Sequence, residues 1–224
     1  MRLLLIRHGQ TPDNVLGELG TTVPGPGLTD LGREQAAALP AALAGEGIGA
    51  LAVSTLVRTQ LTAAPLAAAL GLEPTVLDGL REVEAGELEL RSDHEAVDAY
   101  LGTVLRWVDG DLDARVPGAE DGHAFFGRYD AAVETALASG ESVVALVSHG
   151  AAIRGWAGRR ATNVDASFVR DHQLANTGAV VLEGDPEAGW HVVEWAGTAV
   201  GGALLDDPAA SDPTGDPVEG AGDA

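Results

Sequence analysis

The run Leu3-Leu4-Leu5-Ile6 is followed at once by Arg7-His8-Gly9. Four apolar residues without polar alternation cannot form a strand with one face in water. Such a run, closed by a turn signal, reads as a strand buried on both faces, the kind found inside a parallel sheet. Val143-Val144-Ala145-Leu146-Val147 does the same before Ser148-His149-Gly150. Two strands of this type require helices on both sides of one sheet. Ligands in open α/β sheets bind just beyond the carboxyl ends of the strands. His8 and His149 therefore stand at equivalent points and can meet at one pocket.

The intervening chain supplies the helices. Thr11-Pro12 is a helix start, a capping hydroxyl followed by proline at the first helical position. The turn and helix N-terminus after His8 offer free N–H groups suited to a phosphate-like anion, and Asn14 lies one turn in. Leu16 to Gly27 is a loop rich in Gly and Pro. Leu28-Thr29-Asp30 opens a second helix, with Leu31, Ala38, Leu39, Ala42 and Leu43 expected on its buried face and a kink expected at Pro40. Leu51-Ala52-Val53 is a strand, and Thr55 is expected to cap a helix bearing Arg58 in its first turn. A cation there opposes the helix dipole and points to an anion nearby. Thr75-Val76-Leu77 is a further strand. Helices are expected around Ala96 to Val108, from Phe125 to Leu137 and from Ala151 to Ala157, and strands over Gly178–Leu182 and His191–Trp195.

Charge bounds the partners. The 224 residues carry a formal net charge of −21, and all 13 cations are arginine. Without lysine there is no Schiff-base chemistry and no P-loop lysine. The acidic balance argues against nucleic acid and anionic membranes. No stretch of 18 apolar residues predicts a membrane span, and the N-terminus enters a strand without a leader pattern. With no cysteine either, a cytoplasmic protein is expected. The length suits one domain over residues 1–202. Residues 203–224 hold Asp206, Asp207, Asp212, Asp216, Glu219 and Asp223 without a cation. This segment reads as an acidic, disordered, solvated tail.

Two histidines without a His-Glu-x-x-His pattern or a carboxylate cluster do not make a metal site. Neutral imidazole can instead attack phosphorus. It needs cations to hold the phosphoryl oxygens and an acid to protonate the leaving oxygen. Arg7 and Arg58 are candidates for the first task. Leu80-Arg81-Glu82-Val83-Glu84, the head of a glutamate-rich stretch running to Glu89, offers the second.

The motifs that carry these residues resemble the histidine phosphatase superfamily, also called the phosphoglycerate-mutase-like family. Arg7-His8-Gly9-Gln10-Thr11-Pro12-Asp13-Asn14 is similar to its Arg-His-Gly-x-Thr-x-x-Asn opening. Leu28-Thr29-Asp30-Leu31-Gly32-Arg33-Glu34-Gln35-Ala36 is similar to Leu-Thr-x-x-Gly-x-x-Gln-Ala. Ser54 to Ala63 resembles the second-arginine segment, Leu80 to Glu89 the acid segment, and Ser148-His149-Gly150 the second histidine motif. The five occur in the family's order across roughly residues 1–200.

The resemblance implies a three-layer α/β/α sandwich around a mostly parallel sheet, with no cofactor and no metal. It implies His8 as nucleophile through a phosphohistidine, and Arg7, Arg58 and His149 as phosphoryl ligands. Glu82 would be the proton donor, with Glu84 as the alternative. Thr11, Asn14 and Gly150 would line the phosphate end. The chain departs from the family at the rim, where Leu88-Glu89-Leu90 and Pro117-Gly118-Ala119-Glu120-Asp121 stand in place of the usual Trp-Glu-Gly and Pro-Gly-Gly-Glu-Ser. The expected function is metal-independent hydrolysis of a small phosphorylated metabolite. The alternatives are a cofactor-dependent phosphoglycerate mutase and a non-catalytic binding protein that keeps the fold. A mutase is disfavoured because only Arg91, Arg106, Arg115 and Arg128 lie between acid and second histidine. Oligomeric state is not legible in the sequence.

Overall fold

A computed structural model describes residues 1–210 and 212–218. Six strands form one sheet: β1 (Arg2–Arg7), β2 (Ala50–Val53), β3 (Thr75–Val76), β4 (Val143–Ser148), β5 (Ala179–Asp185) and β6 (Gly189–Trp195). Their order is β3-β2-β4-β1-β5-β6. The first four in that order run parallel, and β5 and β6 add an antiparallel pair on the other side of β1. The helices are α1 (Pro12–Leu16), α2 (Asp30–Ala42), α3 (Val57–Leu70), α4 (His94–Val108), α5 (Gly122–Leu137), α6 (Gly150–Arg160) and α7 (Ala166–Asp171).

Side chains alternate across the sheet with period two. Leu3, Leu5, Val144, Leu146, Val180 and Leu182 face a core with Tyr100, Trp107, Phe125, Tyr129 and Trp156 of α4, α5 and α6. Leu4, Ile6, Ala145, Val147 and Val181 face the opposite core with Leu39 of α2 and Ala63, Leu66 and Ala67 of α3. The protein is therefore a three-layer α/β/α sandwich. The aromatics of the first core pack in series, with Trp107 stacked on Phe125 at 5.3 Å and Tyr129 tilted against Trp156 at 5.7 Å. Truncating Phe125 to alanine would cost about 3–5 kcal/mol.

Most of the expected elements form, with three differences. On α2 the buried residues are Gly32, Gln35, Ala36 and Leu39, not the stripe through Leu31, Ala38 and Ala42. The helix is rotated because Gly32 meets the β1–α1 turn: a Cβ on Gly32 would lie 2.2 Å from the Gln10 carbonyl oxygen. Thr55 does not cap α3. Its hydroxyl donates to Asp78, and Leu56 holds the N-cap position without a side-chain bond.

The third difference is the tail. Among its described residues, 203–210 and 212–218, Asp212, Pro213 and Gly215 are buried against the domain while Leu204, Asp207, Pro208 and Ala209 stay exposed. Gln35 Nε2 donates to the Leu205 carbonyl (2.8 Å), Leu174 N to Gly215 O (2.8 Å) and Val218 N to Arg170 O (2.9 Å). Composition read as disorder because the segment lacks an apolar face of its own. Its contacts are made with cations and backbone groups supplied by the domain. Glu219 and Asp223 lie outside the described residues. No helix among those described is long and apolar enough to cross a membrane.

Candidate active site

The register of the sheet brings the two histidine turns together. Arg7 pairs with Ser148, and His8 N donates to Ser148 O at 3.0 Å. The rings of His8 and His149 meet edge-on with centroids 5.2 Å apart. Next to them, β2 ends at Val53 and α3 begins at Val57, placing Arg58 in its first turn. Arg7, His8, Arg58, Glu82 and His149 are all buried.

His8 has one nitrogen committed. Its Nδ1 lies 2.8 Å from its neighbour's carbonyl, Gly9 O. A carbonyl only accepts, so Nδ1 carries the proton and Nε2 keeps its lone pair. Burial, helped by the Arg58 and Arg7 charges, holds the His8 pKa well below its ordinary value of 6.5. The ring is a neutral base at neutral pH.

His149 is wired differently. Arg58 Nε donates to its Nδ1 at 3.2 Å, so the proton sits on Nε2, 2.8 Å from Ser54 Oγ. Ser54 Oγ also accepts from Leu56 N (3.2 Å) and lies 3.1 Å from Thr59 Oγ1. Both His149 nitrogens are thus engaged by protein. Burial, then the Arg58 charge, again pushes the pKa well below 6.5.

Arg58 has a donor to spare. Nη2 donates to Gly20 O at 3.0 Å, while buried Nη1 has no hydrogen-bond partner. Such an orphan donor is costly unless a ligand accepts from it.

Glu82 caps helix α6. Its Oε1 accepts from Val83 N (2.9 Å) and Ala152 N (2.8 Å), and its Oε2 from Ala151 N (3.3 Å). Burial raises its pKa above 4.5, against the pull of those N–H groups and of Arg58 and Arg7. The neighbouring glutamates do other work. Glu84 pairs with Arg81 and accepts from Glu120 N, away from the cavity. Glu89 accepts from Thr21 N and Thr22 N, pinning the Gly/Pro-rich loop to the acid segment.

The cavity between these groups is walled by His8, Thr11, Asp13, Asn14, Glu18, Thr21, Arg58, Glu82 and Thr214, among others. Its volume is about 20 Å³, room for about one water. Thr11 and Asn14 are there through a capping box: Asn14 Oδ1 accepts from Thr11 N (3.0 Å), and Asn14 N donates to Thr11 Oγ1 (3.3 Å). Gly150, first residue of α6, lies under the tail; a Cβ there would come within 2.7 Å of Thr214 O. Arg7 is turned to the tail: Nη1 and Nη2 each lie 2.6 Å from an Asp212 oxygen.

Sequence reasoning passed over three contributors. Arg128, on α5, donates to the carbonyls of Gly79 (2.8 Å), Arg81 (2.9 Å) and Glu82 (2.8 Å), holding the acid segment in place. Ser54 orients His149. Asp212 reaches the site from 205 positions beyond Arg7. Nothing local in the chain signals any of these long-range contacts. No group of three or more His, Asp or Glu among the described residues is placed to hold a metal ion.

Comparison with known proteins now settles the lineage. Residues 3–198 match the profile of the histidine phosphatase superfamily (branch 1). The chain belongs to that superfamily. Probable phosphoglycerate mutase GpmB of Salmonella paratyphi B is 32% identical over 221 residues, covering 93% of this chain and 97% of that one. PE-PGRS family protein PE_PGRS11 of Mycobacterium tuberculosis is 40% identical over 217 residues, covering 89% of this chain; the match spans only 37% of that longer protein. The mycobacterial glucosyl-3-phosphoglycerate phosphatase, solved with VO3, superposes with a TM-score of 0.71 at 27% identity, covering 87% of this chain and 98% of that one. The superfamily fold is the sandwich described above.

Proposed function

We propose that this histidine phosphatase superfamily member is a phosphatase that hydrolyses a small phosphomonoester without a metal. The single observation that carries the reading is the His8 tautomer. Nδ1 is spent on Gly9 O, so the bare Nε2 is the ring's nucleophilic atom. In the proposed reaction His8 Nε2 attacks phosphorus, the ester oxygen leaves, and Glu82 supplies its proton. The Glu82 carboxylate then takes a proton from water, which attacks the phosphohistidine and releases inorganic phosphate. Arg58 Nη1, unpaired in the protein, would offset the charge on the phosphoryl oxygens. Arg7 would do the same once released from Asp212. His149, with both nitrogens engaged, would act by fixing Arg58, a narrower role than that of a direct ligand. Thr11 and Asn14 would border the phosphoryl group. Raised proton affinity at Glu82 and lowered affinity at His8 push an acid and a base apart, the arrangement an acid–base pair requires.

A mutase must hold an ester that carries a second anionic group. Arg91, Arg106, Arg115 and Arg128 are instead tied to Asp93, Asp111, Asp121 and Glu120. The cavity wall adds Asp13 and Glu18. This supports hydrolysis of an ester whose alcohol part is not strongly anionic. The substrate is expected to be a cytoplasmic metabolite.

The deciding experiment is phosphate release across a panel of small phosphomonoesters, with a chelator present and with His8→Ala as control. Turnover that survives the chelator and disappears in the variant is the expected result. No turnover on any ester, together with isomerisation of phosphoglycerate, would establish the mutase; no activity of either kind would leave a binding protein.

A further inference from the structure

We propose that Asp212 is an internal occupant of the phosphoryl subsite and so a specificity-determining residue: the chain's own carboxylate sits where the incoming anion must go. The inference rests on the phosphatase reading of the same site and concerns what a ligand must displace to enter it.

Two of the residues proposed to receive the phosphoryl group already hold an anion. Both terminal nitrogens of Arg7 lie 2.6 Å from Asp212 oxygens in a fork-to-fork pair, and Asn14 Nδ2 donates to Asp212 Oδ1 at 3.2 Å. Thr214 Oγ1 accepts from Arg7 Nη2 at 2.9 Å, and Thr214 also walls the small cavity beside His8. A space for one water cannot admit a phosphoryl group, so part of this wall must leave. The tail is the part that can. It is fastened by hydrogen bonds from Arg154 Nη1 to Thr214 O (3.2 Å) and Asp216 O (2.9 Å), and from Leu174 N to Gly215 O. It covers Arg7 without belonging to a helix or strand of the sandwich.

Electrostatics couples its release to anion entry. Arg7 is fully buried, and a buried guanidinium stripped of its partner is strongly disfavoured. Asp212 therefore leaves easily only when another anion takes its place. A phosphomonoester carries close to two charges and three acceptor oxygens, against one charge on a carboxylate. The exchange favours phosphomonoesters over carboxylates and other monoanions.

The test uses the full-length protein and inorganic phosphate as probe. Titration calorimetry should show Asp212→Asn binding phosphate about tenfold more tightly than the parent, and Thr214→Ala shifting affinity in the same direction by less. In the parent, saturating phosphate should speed amide hydrogen exchange at Leu174 and Val218, whose N–H groups hold the tail. Unchanged or weaker phosphate binding in Asp212→Asn, or unchanged exchange at both amides, would overturn the proposal. Thr214→Ala and the exchange measurement keep it open to refutation should Asp212→Asn fail to fold. Binding is read without turnover, so an inactive protein that still gains phosphate affinity in Asp212→Asn would refute the phosphatase reading and leave the internal occupant standing.

Discussion

The turns after β1 and β4 share a pattern, a buried strand followed by His-Gly, and end in different chemistry. His8 gives one nitrogen to a carbonyl and keeps the other bare beside the cavity. His149 gives both, one to Arg58 and one to Ser54. The strands place two imidazoles 5.2 Å apart. What each imidazole does is decided by the atoms that reach it from elsewhere. Placement and role are thus separable properties of the same motif.

The sharpest way to break this comparison is to delete each ring in turn. His8→Ala should lower turnover by at least about a thousandfold, as loss of a nucleophile does. His149→Ala should cost less, on the order of a hundredfold, by releasing Arg58. Rapid-quench labelling with a radiolabelled phosphomonoester should still detect a phosphoenzyme in His149→Ala and none in His8→Ala. Equal losses and no label in either variant would make the two turns equivalent.

Glu82→Gln is expected to cost about a hundredfold, more with an alkyl ester than with p-nitrophenyl phosphate, whose leaving group needs little proton assistance. Glu84→Gln should leave the rate in place, because Glu84 faces Glu120 and Arg81 rather than the cavity. Steady-state rates on the two esters compare them directly.

Proton affinity sharpens the comparison further. Burial lowers the pKa of both histidines, so His8 stays neutral below 6.5 and kcat/KM should show no acid limb at that value. The alkaline limb should report loss of the Glu82 proton above 4.5 and should vanish in Glu82→Gln. Stability follows from the same shifts. Below 6.5 the unfolded chain binds protons that the folded histidines refuse. Stability therefore falls as pH drops through that value, by up to about 1.4 kcal/mol per histidine per pH unit. Glu82 works in the opposite sense between 4.5 and its raised pKa, where the folded state holds the extra proton. Denaturant melts across pH 4–8 measure the balance.

The smallest expected loss is that of Ser54→Ala. Loss of one hydrogen bond at His149 should raise KM about fivefold, on the order of 1 kcal/mol, with little change in kcat. A fall in kcat comparable to that of His149→Ala would mean that Ser54 does more than orient the ring.

Much of the architecture was readable because it is encoded locally. Unbroken apolar runs announce β1 and β4, Thr11-Pro12 announces α1, and Phe125, Phe126, Tyr129, Ala132, Val133, Ala136 and Leu137, at helical spacing and all buried, announce α5. The rotation of α2 was not readable, since it depends on Gly32 meeting Gln10 across a turn. Four glutamates between Glu82 and Glu89 look alike in the chain. The fold sends one to the cap of α6, one to Arg81 and Glu120, one to solvent and one to Thr21.

By itself the sequence determined that two histidines would stand at the ends of two buried strands with arginines and an acid within reach. Strand burial, helix starts and turns are written within a few residues and need no distant partner. Only the tertiary structure decided which imidazole nitrogen is bare, which glutamate faces the cavity, and that an acidic tail lies on Arg7. Those outcomes depend on contacts between positions far apart in the chain, such as Arg7 with Asp212 and Arg128 with Glu82. A buried charge has to find a partner wherever the fold brings one within reach, and composition alone does not say where that is.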